Sequence, residues 1–222
     1  MSDTDFDIYV IQDPDYYVYL PKDSESKDSL QGQLYNLHRF FAARRDNPIY
    51  VKSLKDFVLQ VLVQVIIKRQ AAMASPAGLT SLASGGGKIR NLIIAAHGSP
   101  GVVYIGSNAI TGSDKELAEL RKLAPYFARD ANVYVLACRC GQTEDLLRKL
   151  SGAFGGAKVH GYTDYIVTRD YGITVTLSDG TDNGGKHIVC FRTGKCTGTN
   201  DPLPAPNTEG LGPPFERRDR VK

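Results

Sequence analysis

The chain has 222 residues, of which 42% are hydrophobic and 23% are charged, and its formal net charge is +3. This length suits one ordinary domain with modest extensions, and the composition excludes a collagen-like, coiled-coil or wholly disordered chain. Four cysteines and four histidines are too few for a disulfide scaffold, but they suffice for one metal site or one thiol active site.

The charge is unevenly distributed along the chain. Residues 1–28 carry eight acidic and two basic side chains and the tail 201–222 carries four of each, so residues 29–200 carry a net charge of +9. The Lys and Arg residues of this middle part are scattered, and no RNA-binding signature accompanies them. We therefore expect a solvated basic surface, with a nucleic-acid-binding protein as the weaker alternative.

No stretch of the sequence has the length and hydrophobicity of a membrane span. The longest apolar stretch, residues 57–67, is interrupted by Gln60 and Gln64 and is shorter than the roughly 18 residues that a span needs. The N-terminal sequence MSDTDFD is acidic, whereas a secretory signal begins with positive charge. We therefore expect a cytoplasmic chain with no membrane partner, whose thiols are reduced.

Apolar and amphipathic segments alternate along the first part of the chain. They predict a strand at 8–11, an amphipathic helix at 30–44, a short strand at 49–51 and a helix over 54–67. The last helix is apolar almost all round, which predicts that it is covered on both sides. Residues 75–88 are small and include three consecutive glycines, so we expect a flexible linker.

Continuous apolar runs at 92–96 and 133–137 have the length of strands and are typical of parallel strands buried on both faces. The pattern around them predicts a small hairpin arm at 102–105, helices at 113–129 and 142–153, and a strand at 159–161. Ser113 and Glu116 have the spacing of a helix capping box. This alternation predicts an α/β fold with a mostly parallel sheet and helical crossovers.

Beyond Tyr162 the pattern becomes that of a β-rich extension over 162–196. Strands are expected at 165–168, 173–177 and 187–191, the last two joined by the turn-rich sequence SDGTDNGGK. The tail 201–222 has five prolines in its first fourteen residues, which predicts a disordered segment. Residues 1–200 are therefore expected to form a single domain.

Two of the predicted buried strands end in reactive side chains. The run at 92–96 continues into HGSPG, beginning with His97, and the run at 133–137 continues into CRCG, beginning with Cys138. Open α/β sheets bind ligands at the carboxyl ends of their strands. Because one crossover helix links these two strands, we expect His97 and Cys138 to face one crevice.

This placement suits nucleophilic catalysis by a cysteine. A helix beginning just after Gly141 would stabilise a thiolate at Cys138, and His97 could protonate the departing amine. The backbone N–H groups of Gly98 and Cys138 could together form an oxyanion hole. No metal or organic cofactor is needed for this chemistry.

The strand ending in His97-Gly98 and the strand ending in Ala137-Cys138-Arg139-Cys140-Gly141 resemble those of the caspase-like cysteine peptidases. This group includes caspases, metacaspases, legumain, gingipain, clostripain, separase and the bacterial CHAT domains, and the sequence HGSPG is most similar to the CHAT-type relatives. The caspase signature Q-A-C-[RQG]-G is close, although Leu136 replaces the glutamine, Cys140 is an extra residue, and the histidine lies 41 residues upstream of Cys138.

The resemblance covers about residues 7–165 and implies a three-layer α/β/α sandwich with His97 and Cys138 as the catalytic dyad of an endopeptidase. It implies protein or peptide substrates and self-processing. It also implies that the segment after the cysteine strand shapes the substrate pocket, where Asp164 or Asp170 could accept a basic residue.

Several alternatives remain open from the sequence. Cys140 is the rival nucleophile, because it is two residues further along the same strand. Cys190 and Cys196 do not have the spacing of a zinc site with the other cysteines, and His160 and His187 read as ordinary histidines. The segment HGSPG also resembles an α/β-hydrolase oxyanion segment, but the chain lacks a G-x-S-x-G elbow. A catalytically inactive caspase-like interaction module is the rival function.

Overall fold

The computed structural model describes residues 4–13, 48–163, 165–169, 172–176, 187–191 and 193–199. The predicted helix at 30–44 and the tail 201–222 lie outside these residues. The described elements are, in chain order, β1 (Phe6–Gln12), β2 (Ile49–Val51), α1 (Leu54–Ala72), α2 (Pro76–Ala83), β3 (Ile89–Ala95), β4 (His97–Ser99), β5 (Val102–Ile105), β6 (Asn108–Ile110), α3 (Asp114–Leu120), a 3-10 helix (Arg121–Tyr126), β7 (Phe127–Leu136), a 3-10 turn (Cys140–Gln142), α4 (Glu144–Ala153), β8 (Lys158–Tyr162), β9 (Tyr165–Arg169), β10 (Gly172–Thr176), β11 (His187–Cys190) and β12 (Cys196–Thr199).

Seven of these strands form one mixed sheet in the order β12-β11-β8-β7-β3-β1-β2. The five strands from β8 to β2 are parallel neighbours, whereas β11 and β12 add to the β8 edge as antiparallel strands. The predicted α/β fold with a mostly parallel sheet is therefore confirmed. The three predicted C-terminal strands are also present as β9, β10 and β11. Strand β11 belongs to the main sheet together with β12, which was not predicted, and β9 and β10 pair only with each other among the described strands.

Both faces of the central strands are buried, as their continuous apolar sequences predict. On one face, residues such as Val10, Ile94 and Val135 join a single hydrophobic cluster with side chains of α1, α3 and α4. On the other face, Ile93 and Tyr134 are completely buried as well. A helical layer on one face and a covered second face are compatible with an α/β sandwich.

A chain of polar side chains crosses four of the parallel strands. His160 Nε2 lies 3.1 Å from Asn132 Oδ1, Asn132 Nδ2 donates to Asn91 Oδ1 at 3.1 Å, and Asn91 Nδ2 donates to Asp7 Oδ1 at 2.9 Å. The same Asp7 oxygen accepts from Arg90 Nε at 3.1 Å. Asn91 and His160 are buried, so these contacts satisfy polar groups that water does not reach.

Helix α1 is not covered all round, and the prediction that it would be is wrong. Its inner face, including Phe57 and Val61, is fully buried, but Leu59 is 58% and Ile66 is 55% exposed on the opposite face. The sequence is apolar on both faces, whereas the described part of the fold packs only one of them. No helix among the described residues has the length and hydrophobicity that a membrane span requires.

The predicted linker at 75–88 is also wrong, because most of it forms helix α2. Ser75 is the N-cap and its Oγ accepts from the backbone N–H of Gly78 at 3.1 Å, while Pro76 occupies the first helical turn. A Cβ atom on Gly78 would lie against the carbonyl of Ala72, the last residue of α1. The small residues therefore let two consecutive helices approach closely.

The helix predicted at 113–129 is shorter than expected. Helix α3 ends at Leu120, a 3-10 helix follows that contains Pro125, and β7 begins at Phe127. Proline lacks the N–H that an α-helix would use, which accounts for the change in geometry before the strand. The Glu116 part of the predicted capping box is confirmed, since its carboxylate accepts from the backbone N–H of Ser113 at 3.0 Å.

Candidate functional site

The register of the sheet brings the two reactive strand ends to the same edge. In the parallel pair of β3 and β7, Ala95 lies opposite Leu136. The pairing continues one step further, because the N–H of Ala96 donates to the carbonyl of Leu136 at 3.1 Å. His97 and Cys138 each follow their strand's last register partner by two residues, so the backbone places them at neighbouring positions.

The backbone at Gly98 lies directly against the segment that carries Cys138. A Cβ atom at position 98 would lie 2.6 Å from the carbonyl oxygen of Cys138 and 2.9 Å from the Cβ of Ala137. The antiparallel sheet of β4, β5 and β6 then leads the chain away, with His97 opposite Tyr104. A glycine at position 98 is therefore required by a close backbone approach beside the candidate nucleophile.

The backbone of His97 is hydrogen-bonded to a neighbouring strand, and its side chain is partly shielded from water. Its N–H donates to the side-chain Oε1 of Gln12 at 3.1 Å. The residue as a whole is only partly buried, but its Nε2 is shielded from solvent. Burial lowers the pKa of the imidazole from 6.5 to about 4. His97 is therefore neutral at neutral pH, and it is a weaker base than an ordinary histidine.

The two neighbouring thiols have different surroundings. Neither residue is part of a disulfide, and Cys138 is only partly buried whereas Cys140 is completely buried. Burial raises the pKa of the Cys140 thiol to about 12, and its Sγ lies 3.7 Å from the carbonyl oxygen of Val135. A thiol in such surroundings ionises poorly and is hard for a substrate to reach. Cys138 is the better placed of the two for nucleophilic chemistry.

Arg139, directly after Cys138, has a left-handed backbone with φ of 58°, and it is the one non-glycine residue with positive φ in the described part of the chain. Its Nη2 donates to Gln142 Oε1 at 3.3 Å, and Gln142 Nε2 donates to the carbonyl of Thr163 at 2.7 Å. These bonds tie the turn after Cys138 to the end of β8. Left-handed non-glycine residues are uncommon and are concentrated at functional sites.

The helix expected to stabilise a Cys138 thiolate does not begin where the sequence suggested. A 3-10 turn follows Arg139, and helix α4 starts only at Glu144. The first turn of α4 already contains two carboxylates, those of Glu144 and Asp145, which complement the positive end of the helix. The prediction of a helix start just after Gly141 is therefore corrected, and the electrostatic support expected from it is absent at that position.

Cys190 and Cys196 form a disulfide, so the prediction that all thiols are reduced is wrong for this pair. The two residues lie opposite each other in the antiparallel pair of β11 and β12, with their Cα atoms 4.1 Å apart. His160 stacks on Tyr134 with ring centroids 4.3 Å apart. Within the described residues, no three His, Cys, Asp or Glu side chains are grouped in a way that could hold a metal ion.

Two of the predicted site residues are not described by the structure, and two residues near the candidate site were not predicted. Asp164 and Asp170, the predicted pocket carboxylates, lie outside the described residues. Gln12 and Arg139 were not singled out in the sequence. Gln12 ends an apolar strand at the same carboxyl edge as the dyad candidates, and this position is the signal that could have identified it. The left-handed turn at Arg139 has no comparable signal, since arginine rarely adopts it.

No family model matches the chain, and no curated protein matches it in sequence. The case for function therefore depends on the geometry of the strand ends.

Proposed function

We propose that the chain is a caspase-like cysteine endopeptidase in which Cys138 is the nucleophile and His97 is the acid–base group. The Cys138 sulfur attacks the carbonyl carbon of a peptide bond and its proton passes to His97. The C–N bond then breaks and His97 returns the proton to the departing amine. Water hydrolyses the resulting thioester, which releases the acid product and regenerates the thiol.

The observation that carries the proposal is the contact between Gly98 and the Ala137–Cys138 segment. This contact, together with the register of β3 and β7, supports a site in which a histidine and a partly accessible cysteine lie at adjacent strand ends. The carboxyl edge of a parallel sheet is where α/β folds bind their ligands.

Burial keeps His97 neutral at pH 7, because its pKa is lowered to about 4. A neutral imidazole has a lone pair for the thiol proton, but this pKa makes it a weak base, so the proton transfer must be coupled to the attack of the sulfur on the carbonyl carbon. The proposed mechanism therefore starts from a neutral thiol and a neutral imidazole. It does not need a thiolate–imidazolium pair in the resting protein.

The oxyanion hole remains part of the proposal. The N–H groups of Gly98 and Cys138 are assigned to it because the two residues lie in contact at the strand ends. Such donors stabilise the negative oxygen that forms during attack on a carbonyl. A basic residue before the cut bond, accepted by Asp164 or Asp170, remains a further prediction about specificity.

A specific observation favours the rival function, a catalytically inactive interaction module. Helix α4 starts too late to support a thiolate at Cys138 and carries Glu144 and Asp145 in its first turn. A protein that had lost catalysis could keep the surface at these strand ends for binding a partner while losing activation of the thiol.

Thiol labelling and intact-mass analysis separate the two functions. A limiting amount of iodoacetamide should modify Cys138 much faster than Cys140, and peptide mapping identifies the labelled residue. Incubation of the chain alone, or with an unfolded protein, should yield fragments. Fragments should be lost in Cys138→Ala and His97→Ala but retained in the control Cys140→Ala. Equal, slow labelling of both thiols contradicts the peptidase proposal, and fast labelling of Cys138 without any cleavage favours the inactive module.

A further inference from the structure

Gln12 is a buried polar residue that the proposed chemistry does not itself require. It is the last residue of β1, it is only 2% exposed, and its Oε1 accepts the backbone N–H of His97 at 3.1 Å. The two residues are 85 positions apart in sequence, so the bond joins two different strand ends. A buried glutamine at this place calls for an explanation, because burying an amide is costly unless it is hydrogen-bonded.

The backbone around Gln12 explains why a side chain makes this bond. Up to Ile11, β1 runs beside β3, with Ile11 opposite Ala95. On its other edge β1 stays paired with β2 as far as Gln12, which lies opposite Val51, and the N–H of Asp13 donates to the carbonyl of Val51 at 3.0 Å. The amide oxygen of Gln12 thus supplies an acceptor to His97 just beyond the point where the backbone pairing of β1 with β3 ends.

His97 is consequently held from both sides. On the β1 side its N–H is bound by Gln12, and on the β7 side the next residue, Gly98, lies against the carbonyl of Cys138. A peptide held at both points has little freedom to move the imidazole relative to the thiol. The orientation of a catalytic group controls its rate, and a displacement of about 1 Å can cost about 100-fold.

We propose that Gln12 is a positioning residue that holds the backbone of His97 so that its imidazole can exchange a proton with Cys138. This inference rests on the proposed peptidase function and assigns the β1 strand end to the same site. Gln12 does not touch the reacting atoms, and its effect passes through His97. The acceptor oxygen at this position is the required feature, because it bonds to the N–H of His97.

The test compares Gln12→Met, which keeps the length of the side chain but removes the acceptor, with Gln12→Glu, which keeps an acceptor oxygen. The rate of Cys138 alkylation is measured from pH 5 to 9, with cleavage by intact mass and the thermal midpoint beside it. Ser151→Ala is the matched control, since Ser151 lies on α4 in another part of the fold and donates a buried side-chain hydrogen bond to the carbonyl of Ala157.

Gln12→Met is expected to slow cleavage by about tenfold or more and to move the pH profile of Cys138 alkylation toward that of His97→Ala. Gln12→Glu should restore much of the rate, and Ser151→Ala should lower the thermal midpoint without changing the profile. A Gln12→Met protein with a lower midpoint but a wild-type profile and rate would overturn the positioning role while leaving the dyad intact. A His97→Ala protein with a wild-type profile would instead overturn the dyad, and the role of Gln12 with it.

Discussion

Gly98 and Cys138 are in direct backbone contact: a Cβ atom at position 98 would lie only 2.6 Å from the carbonyl oxygen of Cys138. Real Cβ atoms essentially never approach another heavy atom this closely, and the atom in question belongs to the backbone. The ends of β3 and β7 are therefore fitted to each other at the point where the two candidate catalytic residues lie. This fit makes position 98 the most direct place to disturb the site.

We predict that Gly98→Ala destabilises the protein by about 1–3 kcal/mol, because the added methyl group overpacks a site that cannot yield without moving the backbone. Cleavage should also fall, since the Cys138 segment must shift. Gly152→Ala is the control, because a Cβ there meets nothing within 4 Å and the residue lies in helix α4. Urea unfolding should show Gly152→Ala as stable as wild type or more so. Equal stability of both variants would contradict the close contact.

His97 should make the stability of the protein depend on pH. Its pKa is about 4 when folded, against 6.5 for an ordinary histidine, so between these values the unfolded chain binds a proton that the native protein does not. The free energy of unfolding should therefore rise from pH 4 to pH 6.5 and level off above it. Urea unfolding of wild type and His97→Gln across this range measures the effect. The advantage of wild type over the variant should shrink as the pH falls, and a constant difference would contradict the lowered pKa.

The left-handed backbone at Arg139 predicts an unusual order of stability among variants at this position. A backbone φ of 58° costs an ordinary residue about 1–2 kcal/mol but costs glycine almost nothing. Arg139→Gly should therefore be close to wild type in stability, although it loses the bond to Gln142. Arg139→Val should be less stable than Arg139→Gly by about 1–2 kcal/mol, since β-branched residues are genuine outliers in this region. Denaturant unfolding gives the order, and the reverse order would exclude a left-handed turn.

The disulfide between Cys190 and Cys196 closes a short loop between β11 and β12. From the entropy of closing a loop of this size, we expect the double variant Cys190→Ala/Cys196→Ala to lose about 2 kcal/mol of stability. Under denaturing conditions a thiol reagent should detect two thiols before reduction and four after it. Four thiols without a reductant would contradict the bond. Disulfides are rare in the cytosol, so the same count on protein from its native source tests the cytoplasmic prediction.

Much of the central sheet could be predicted because its strands are short apolar runs separated by helical segments. The runs that contain Ile93 and Tyr134 are buried on both faces, and this is what a run without alternation indicates. The prediction at 75–88 failed because its sequence pattern is ambiguous: small residues are typical both of linkers and of closely packed helices. Only the Ser75-Pro76 start distinguishes α2 from a linker. For α1, the sequence is apolar on both faces and therefore does not predict which face packs in the core.

The position of His97 and Cys138 at one edge of the sheet could be predicted from the sequence, but the contacts around them could not. His97 and Cys138 follow recognisable strands, so the carboxyl-edge rule identifies them. The choice between Cys138 and Cys140 depends on which thiol is buried. The sequence does not show this, because the two cysteines are separated by only one residue. The hydrogen bond from the N–H of His97 to the side chain of Gln12 joins two strands. The two residues are 85 positions apart, so no local sequence pattern predicts the contact.

The hydrogen-bonded side chains of Asp7, Asn91, Asn132 and His160 favour one register of the parallel strands that carry the candidate site. A parallel strand can slide past its neighbour by two residues and still present the same apolar faces, so hydrophobicity alone leaves the alignment of these strands ambiguous. Such a slide would carry His97 about 7 Å from its place beside Cys138, because each residue of a strand spans about 3.3 Å. The amides of Asn91 and Asn132 pair only in the observed register, so this hydrogen bond selects one register of the sheet more than it adds stability.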